Sequence, residues 1–318
     1  MKDRFLTGLA IVFIVLVIFL TKIIMQTTVV FDIFIGMIAI MSAIEIANIL
    51  KKMDLYNHNY LIVAFPILAY ILTMICITSK LSVIVSILLL ISLILLVAIV
   101  SFFISIFAYA KTESEMRLRK IRISRKKFAL NKSVHTTLGL IYPTISIMLL
   151  VVFNHIGELS HIFTGVASFG FLIGIMMLFC AFLIPFISDT FAYLTGNAIG
   201  GKKLCPKISE HKTISGAVGG IVWTALILTV VFLLFSSGGA LPALFVSLGI
   251  QWYHIAILGI IGGLACEFGD LFESSLKRKA NLKDSSNILP GHGGILDRVD
   301  GFIFSTIIVF VFFLFFLI

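Results

Sequence analysis

The chain has 318 residues, of which 60% are hydrophobic and 12% are charged, and its mean hydropathy is +1.17. Long runs of Ile, Leu, Val and Phe at this density exclude an ordinary soluble domain and predict an all-α integral membrane protein. A net charge of +9 is typical of a membrane protein with basic cytoplasmic loops, so we expect no nucleic-acid partner.

Apolar windows of about 20 residues predict about nine transmembrane helices. The first begins directly after Lys2-Asp3-Arg4 and lacks a small-x-small cleavage site, so we expect it to be retained as a span. Residues 238–251 are apolar but short, and are either a re-entrant piece or part of a tenth span. The predicted spans are residues 5–24, 29–50, 60–78, 81–110, 136–154, 164–187, 214–235, 252–275 and 301–318.

The distribution of Lys and Arg predicts the orientation of these spans. Residues 111–135 contain nine basic side chains, so this loop is expected on the cytoplasmic side, and the nine-span count then places the N-terminus inside and the C-terminus outside. Part of it, residues 117–132, could alternatively form a basic helix lying on anionic lipid. The chain thus divides into N-terminal transmembrane helices (1–110), the basic loop (111–135) and a C-terminal transmembrane region (136–318) with cytoplasmic loops 188–213 and 276–300.

The most polar stretch near the end of the chain is the segment 274–300, where eight charged side chains and a histidine lie between two apolar runs. Burying these charges in lipid would cost on the order of 20 kcal/mol, so the segment must face water, a ligand or a metal. Helical spacing extends this polar segment back along one face of the eighth span. It also places two acidic residues on one face at the start of the ninth span. These residues are Asp270, Ser274, Lys277 and Arg278 on one face, and Asp297 and Asp300 on the other helix.

Three carboxylates facing Lys and Arg suit a divalent ion that bridges phosphates. The glycines of Pro290-Gly291-His292-Gly293-Gly294 allow the backbone to approach a ligand closely. Each feature alone has a simpler explanation, such as a favourable helix-dipole interaction, a turn or a cytoplasmic anchor. Their joint occurrence in one loop favours a metal–phosphate site.

A second polar region, residues 188–220, is rich in glycine, lysine and hydroxyl side chains. Gly196 to Lys202 reads GxxxxGK, but Lys203 stands where a P-loop requires Ser or Thr, and no strand–helix alternation surrounds it. We therefore reject a Walker A site. The region remains suited to binding a nucleotide triphosphate, or it is simply a flexible positive loop.

Glu45 is a third candidate, because Ser42, Glu45 and Asn48 recur at helical spacing in the second span. A carboxylate within a membrane span usually faces the bundle or a cavity. It either lines a site or makes a structural hydrogen bond.

The pattern in residues 180–318 resembles the phosphatidate cytidylyltransferases, also called CDP-diacylglycerol synthases. The signature of that family runs S-x-hydrophobic-K-R, four residues, K-D, then P-x-H-G-G, a hydrophobic residue and x-D-R-hydrophobic-D, and Ser274 to Asp300 matches it at every fixed position. Asp189 and Lys212-Thr213 also look like the family. The chain departs from it at Ser285-Ser286-Asn287, where an aromatic residue and glycine are usual.

The resemblance implies that CTP and phosphatidic acid react to give CDP-diacylglycerol and pyrophosphate, with Mg²⁺ as cofactor, for phospholipid biosynthesis at the cytoplasmic side of a bacterial cell membrane. It implies Asp270, Asp297 and Asp300 as metal ligands. The implied catalytic residues are Asp270, Lys277, Arg278, Asp297 and Arg298. The implied substrate-binding residues are Asp189, Lys203, Lys212, Thr213, Ser274, Lys283, Asp284 and His292.

Three alternatives stay open from the sequence. Two are enzymes that use CTP on another membrane lipid: a synthase of a different CDP-activated lipid, and a polyprenol kinase. The third is a transporter, which should concentrate its polar residues near the bilayer midplane in matched halves. Here they cluster in two loops of the C-terminal half, which disfavours transport. Whether two copies form a homodimer is also left open.

Overall fold

The computed structural model describes residues 2–25, 27–81, 83–118, 124–159, 169–236, 241–289, 291 and 293–317. The described chain is helical apart from one small hairpin and the connecting loops. Its helices are α1 (Lys2–Met25), α2 (Val29–Lys52), α3 (Asn59–Thr78), α4 (Val83–Phe107), α5 (Tyr109–Leu118), α6 (Arg125–Ile141), α7 (Thr144–Asn154), α8 (Gly170–Ile199), α9 (Ile214–Phe235), α10 (Leu241–Leu248), α11 (Trp252–Lys279) and α12 (Leu296–Leu317), with a short 3-10 helix at Ile156–Leu159. The hairpin consists of β1 (Lys203–Cys205) and β2 (Ser209–Thr213).

Eight segments within the described residues are long and apolar enough to cross a membrane, and they correspond to the second to ninth predicted spans. The predicted first span lies in α1, which contributes the apolar stretch Phe13–Met25. One of the eight, Arg125–Asn154, consists of α6 and α7 with a break between them. The expectation of an all-α, multi-pass membrane protein is confirmed.

The structure changes the predicted loops. Residues 111–118 and 125–135, expected in a basic loop, are helical, because Ser124 caps α6 by accepting a hydrogen bond from Lys127 N at 3.4 Å and Lys132 pairs with Glu115 of α5 at 2.8 Å. The segment 238–251 contains α10, whose eight residues extend about 12 Å at 1.5 Å per residue and cannot form a tenth span. The helices α8 and α11 also extend into their predicted loops, to Ile199 and Lys279.

The helices α8, α9, α11 and α12 pack on one another, and α2 and α7 pack against α12 from the N-terminal half. Close approach of α11 and α12 depends on Gly269, where an added Cβ would lie 2.5 Å from the carbonyl oxygen of Asp300. This contact brings the polar ends of α11 and α12 together.

Candidate active site

A cavity of about 550 Å³ lies between the end of α8, the β1–β2 hairpin, the start of α9 and the last turns of α11. Its lining combines residues from both polar regions of the sequence. The predicted site residues that line it are Asp189, Lys203, Lys212, Thr213 and Asp270. The two regions singled out separately in the sequence therefore face one cavity.

Lys212, on β2, is held between two carboxylates of α11. Its Nζ lies 2.5 Å from Asp270 Oδ2 and 2.7 Å from Glu267 Oε2. Burial opposes the charged form of Lys212, but Asp270 and Glu267 outweigh it and hold the pKa of this ammonium above its usual value. Lys212 thus remains protonated at neutral pH and supplies a fixed positive charge to the cavity. Glu267 was not predicted from the sequence; its spacing of three residues from Asp270 places it on the same helix face.

The hairpin holds Lys212 in a defined position because the last residue of β2, Thr213, also caps α9. Thr213 pairs with Lys203 across the hairpin, and its hydroxyl accepts a hydrogen bond from Gly216 N at 3.1 Å. Ser215 donates a hydrogen bond to the carbonyl oxygen of Gly200. Thr213 therefore has a structural role at the cavity wall, while the exposed Lys203 remains available to a ligand.

The segment between α11 and α12, residues 280–295, is called the signature loop below. Asp297 organises it: the carboxylate pairs with Lys277 Nζ at 2.6 Å and accepts hydrogen bonds from Ser285 N at 2.9 Å, Ser285 Oγ at 3.0 Å and Gly294 N at 2.7 Å. Only 5% of the Asp297 side chain is exposed. Asp297 is thus bound within its own loop.

Glu45, on α2, anchors the same loop from the other half of the chain. It is 1% exposed, and it accepts hydrogen bonds from Ser285 Oγ at 2.8 Å, Ser286 Oγ at 2.6 Å, Ile295 N at 3.0 Å and Leu296 N at 2.7 Å. Of the two roles considered from the sequence, the structure shows the hydrogen-bonding one. The two serines at which the chain departs from the family signature are among its donors.

The residues of the polar face predicted for α11 contact different parts of the molecule. Ser274 Oγ donates to Asp270 Oδ1 at 3.2 Å, and Lys277 points to Asp297, but Arg278 is exposed and its Nε donates to the carbonyl oxygen of Ile208 in the hairpin turn at 3.1 Å. Three other predicted residues, Lys283, Asp284 and Arg298, are exposed. His292 lies outside the described residues.

The site has more acidic than basic groups. Asp189, Asp270 and Asp300 act on one another electrostatically, and Glu273, which the sequence reasoning missed, is fully buried beside Lys277 at 2.5 Å. Six carboxyl groups lie close to two lysines that are paired with four of them. The carboxylates are Asp189, Glu267, Asp270, Glu273, Asp297 and Asp300, and the lysines are Lys212 and Lys277.

This oxygen-rich donor set fits Mg²⁺, which prefers carboxylate oxygens. One oxygen, Oε1 of Glu267, is buried and accepts no hydrogen bond within the described part of the chain. However, no three His, Cys, Asp or Glu side chains among the described residues are gathered as a ligand set, and Asp270 and Asp297 are paired with lysines. The assignment of Asp270, Asp297 and Asp300 as metal ligands therefore stays a prediction.

Comparison with known proteins adds two findings. The sequence profile described as "Cytidylyltransferase family" matches residues 2–316. The chain is 40% identical over 131 residues to a protein named phosphatidate cytidylyltransferase of Bacillus subtilis, covering 41% of this chain and 45% of that one. Proteins of the same name from Staphylococcus saprophyticus and Brucella abortus are 40% and 37% identical over 131 residues, 46% and 44% of their lengths. The chain thus aligns with less than half of each of these relatives.

Proposed function

The chain belongs to the cytidylyltransferase family, and from this premise we propose that it transfers the cytidylyl group of CTP to phosphatidic acid in the membrane. The observation that carries the proposal is the single cavity in which Lys212 and Asp270 meet, with the signature loop beside it. It combines fixed positive charge for phosphates with carboxylates for a divalent ion. The names of the aligned relatives point to the same reaction.

In the proposed reaction a phosphate oxygen of phosphatidic acid attacks the α-phosphorus of CTP. A bond forms between this oxygen and the α-phosphorus. The bond from the α-phosphorus to the oxygen that bridges it to the β-phosphate breaks, and pyrophosphate leaves with the bonding electrons. Catalysis of such a transfer depends mainly on positioning and charge neutralisation. A phosphate monoester is largely ionised at pH 7, so no strong general base is needed.

Different residues of the site carry out the positioning and the charge neutralisation. Lys203 and Lys212 face the cavity and neutralise the phosphates of CTP, and Lys277, Arg278 and Arg298 are the further cations of the signature. Asp284 and His292 orient the loop or a ligand. Mg²⁺, held by Asp270, Asp297 and Asp300, would supply additional positive charge to the phosphate oxygens.

We place this site on the cytoplasmic side, where CTP is found. The C-terminal half of α2 contacts the signature loop through Glu45, so the exposed Lys51 and Lys52 at the end of α2 lie on the side of the site. Basic residues at helix ends mark the cytoplasmic side. In intact cells, a thiol reagent that cannot cross membranes should leave the exposed position Asn287→Cys unlabelled until the cells are permeabilised; labelling of intact cells would contradict the placement.

Product analysis tests the reaction itself. Purified protein in detergent is supplied with cytidine-labelled CTP, phosphatidic acid and Mg²⁺, with diacylglycerol as the matched lipid lacking the phosphate. We expect a lipid-soluble label and pyrophosphate with phosphatidic acid only. Release of CDP with a polyprenol acceptor would indicate a kinase instead, and absence of both pyrophosphate and a labelled lipid would reject the proposal.

A further inference from the structure

Tyr142 lies in the break between α6 and α7, a place that neither polar region of the sequence indicates. The helix α6 ends at Ile141 and α7 begins at Thr144, and the side chain of Tyr142 extends toward α11 and α12. Its ring packs against Phe272 of α11 and Phe304 of α12, with centroids 5.1 Å and 6.3 Å away. These contacts hold the ring against the helices that carry the acidic cluster.

The hydroxyl group of Tyr142 is buried and has no hydrogen-bond partner within the described part of the chain. Leaving a buried hydroxyl unsatisfied costs about 1–3 kcal/mol, so such groups in folded proteins usually meet a ligand or water. The charges acting on it most strongly are those of Glu273, Asp300 and Asp270. A free hydrogen-bond donor therefore faces the acidic side of the site.

The carboxylates nearest to it do not use this donor. Glu273 is fully buried and forms an ion pair with Lys277, whose Nζ lies 2.5 Å from Oε2, while its Oε1 has no hydrogen-bond partner within the described part of the chain. Asp300 accepts from Gly301 N at 2.8 Å. The Tyr142 hydroxyl therefore lies beside the acidic cluster without a hydrogen bond to any of its described carboxylates.

This side of the cluster also borders the membrane-facing surface. Phe268 and Phe272 lie one helical turn apart on α11, stack on each other at 6.3 Å, and are 56% and 36% exposed. Exposed aromatic side chains on a spanning helix face the acyl chains of lipid. The lining of the 550 Å³ cavity, in contrast, is mostly polar and glycine-rich and includes neither phenylalanine nor Tyr142. The cluster thus has a polar side suited to a nucleotide and an aromatic side suited to a lipid.

We propose that the Tyr142 hydroxyl donates a hydrogen bond to the phosphate group of the lipid substrate, where the acidic cluster meets the membrane-facing aromatic side chains. This proposal rests on the proposed function. A lipid with a phosphate monoester and two acyl chains needs a place where a polar site and an apolar surface meet, and Tyr142 lies there. Lys277, beside Glu273, provides the opposite charge for the same phosphate.

The variant Tyr142→Phe tests the proposal because it removes only the hydroxyl. Rates are measured in mixed micelles, first with phosphatidic acid varied at saturating CTP and then with CTP varied at saturating lipid. We expect the KM for phosphatidic acid to rise about tenfold, the usual effect of one hydrogen bond to a charged group, and the KM for CTP to stay unchanged. The melting temperature should not fall, since no bond within the protein is lost. The matched control is Tyr253→Phe, an exposed tyrosine on α11 far from the cluster.

An unchanged KM for phosphatidic acid, an equal rise in both KM values, or a lower melting temperature would each overturn the proposal. If the wild-type protein makes no CDP-lipid, the proposed function fails by itself. Direct binding of phosphatidic acid to wild type and to Tyr142→Phe, measured by native mass spectrometry, then still tests Tyr142: weaker binding by the variant supports the proposal, and equal binding rejects it.

Discussion

The site contains two lysine–carboxylate pairs of the same chemistry in different surroundings. In the pair beside the signature loop, Lys277 of α11 is 11% exposed and Asp297 of α12 is 5% exposed. In the cavity, Lys212 is 21% exposed and Asp270 is 27% exposed. The first pair is enclosed by its own loop, whereas the second opens into a space of about 550 Å³.

This difference in exposure indicates two different roles, which the sequence motif does not distinguish. Asp297 also accepts hydrogen bonds from Ser285 and Gly294, so breaking its pair disturbs the whole loop. Asp270 has Lys212 and Ser274 as partners, and water or a ligand can replace them. We therefore expect loss of the enclosed pair to reduce both stability and activity, and loss of the open pair to act mainly on nucleotide binding.

The largest effect is expected for Asp297→Asn. Removing the charge from a buried pair leaves Lys277 facing Glu273 alone and weakens the loop hydrogen bonds, at a cost of about 3 kcal/mol. The melting temperature in detergent should fall by roughly 5 °C and activity should be lost. Asp284→Asn, on an exposed carboxylate of the same loop, is the control for stability and should melt like wild type. An Asp297→Asn protein with wild-type activity would contradict both the structural and the metal-binding role.

A smaller effect is expected for Glu45→Gln, which keeps the shape of the side chain. The amide nitrogen of Gln cannot accept from the donors of the loop, so at least one of four hydrogen bonds is lost, at about 2 kcal/mol. Activity should fall because the signature loop is no longer held against α2. Ser286→Ala removes only the hydrogen bond to Glu45 Oε1, so its loss of stability and activity should be smaller. A Glu45→Gln protein with the melting temperature and activity of wild type would show that these hydrogen bonds are not required.

The smallest effect on stability is expected for Lys212→Gln, in the open pair. Loss of its positive charge should raise the KM for CTP about tenfold or more. The Gln amide can still donate a hydrogen bond to the buried Glu267, and water solvates the more exposed Asp270, so the melting temperature should fall less than in Asp297→Asn. Lys207→Gln, at the exposed turn of the same hairpin, should leave the KM for CTP unchanged. A large loss of stability with an unchanged KM would show that the two pairs have the same role.

Much of this arrangement was predictable from particular residues. Hydropathy identified the spans, and helical spacing placed Asp270 and Ser274 on one face, where they are hydrogen-bonded. The same spacing did not predict that Lys277 and Arg278 diverge, because one turns to α12 and the other to the hairpin. Helical phase defines the face of one helix but not which neighbour that face meets.

Glu273 and Tyr142 were not predicted from the sequence, because their importance depends on neighbouring helices. Neither belongs to a recognisable motif, and a tyrosine in an apolar segment resembles an ordinary packing residue. The basic segment before residue 136 was interpreted as a loop because of its charge, whereas the Ser124 cap and the Lys132–Glu115 pair stabilise helices there. Polarity alone does not distinguish a solvated loop from a solvated helix.

Hydropathy, helical periodicity and motif spacing are local properties, so the amino-acid sequence alone was sufficient to identify the membrane class, the approximate positions of the spans and the residues of the signature. The tertiary structure decided which carboxylate each lysine holds, that Glu45 anchors a loop 240 or more residues away, and that Tyr142 faces the acidic cluster. These pairings depend on the packing of α11, α2 and α7 against α12 and on the position of the hairpin beside α11, which no local pattern specifies.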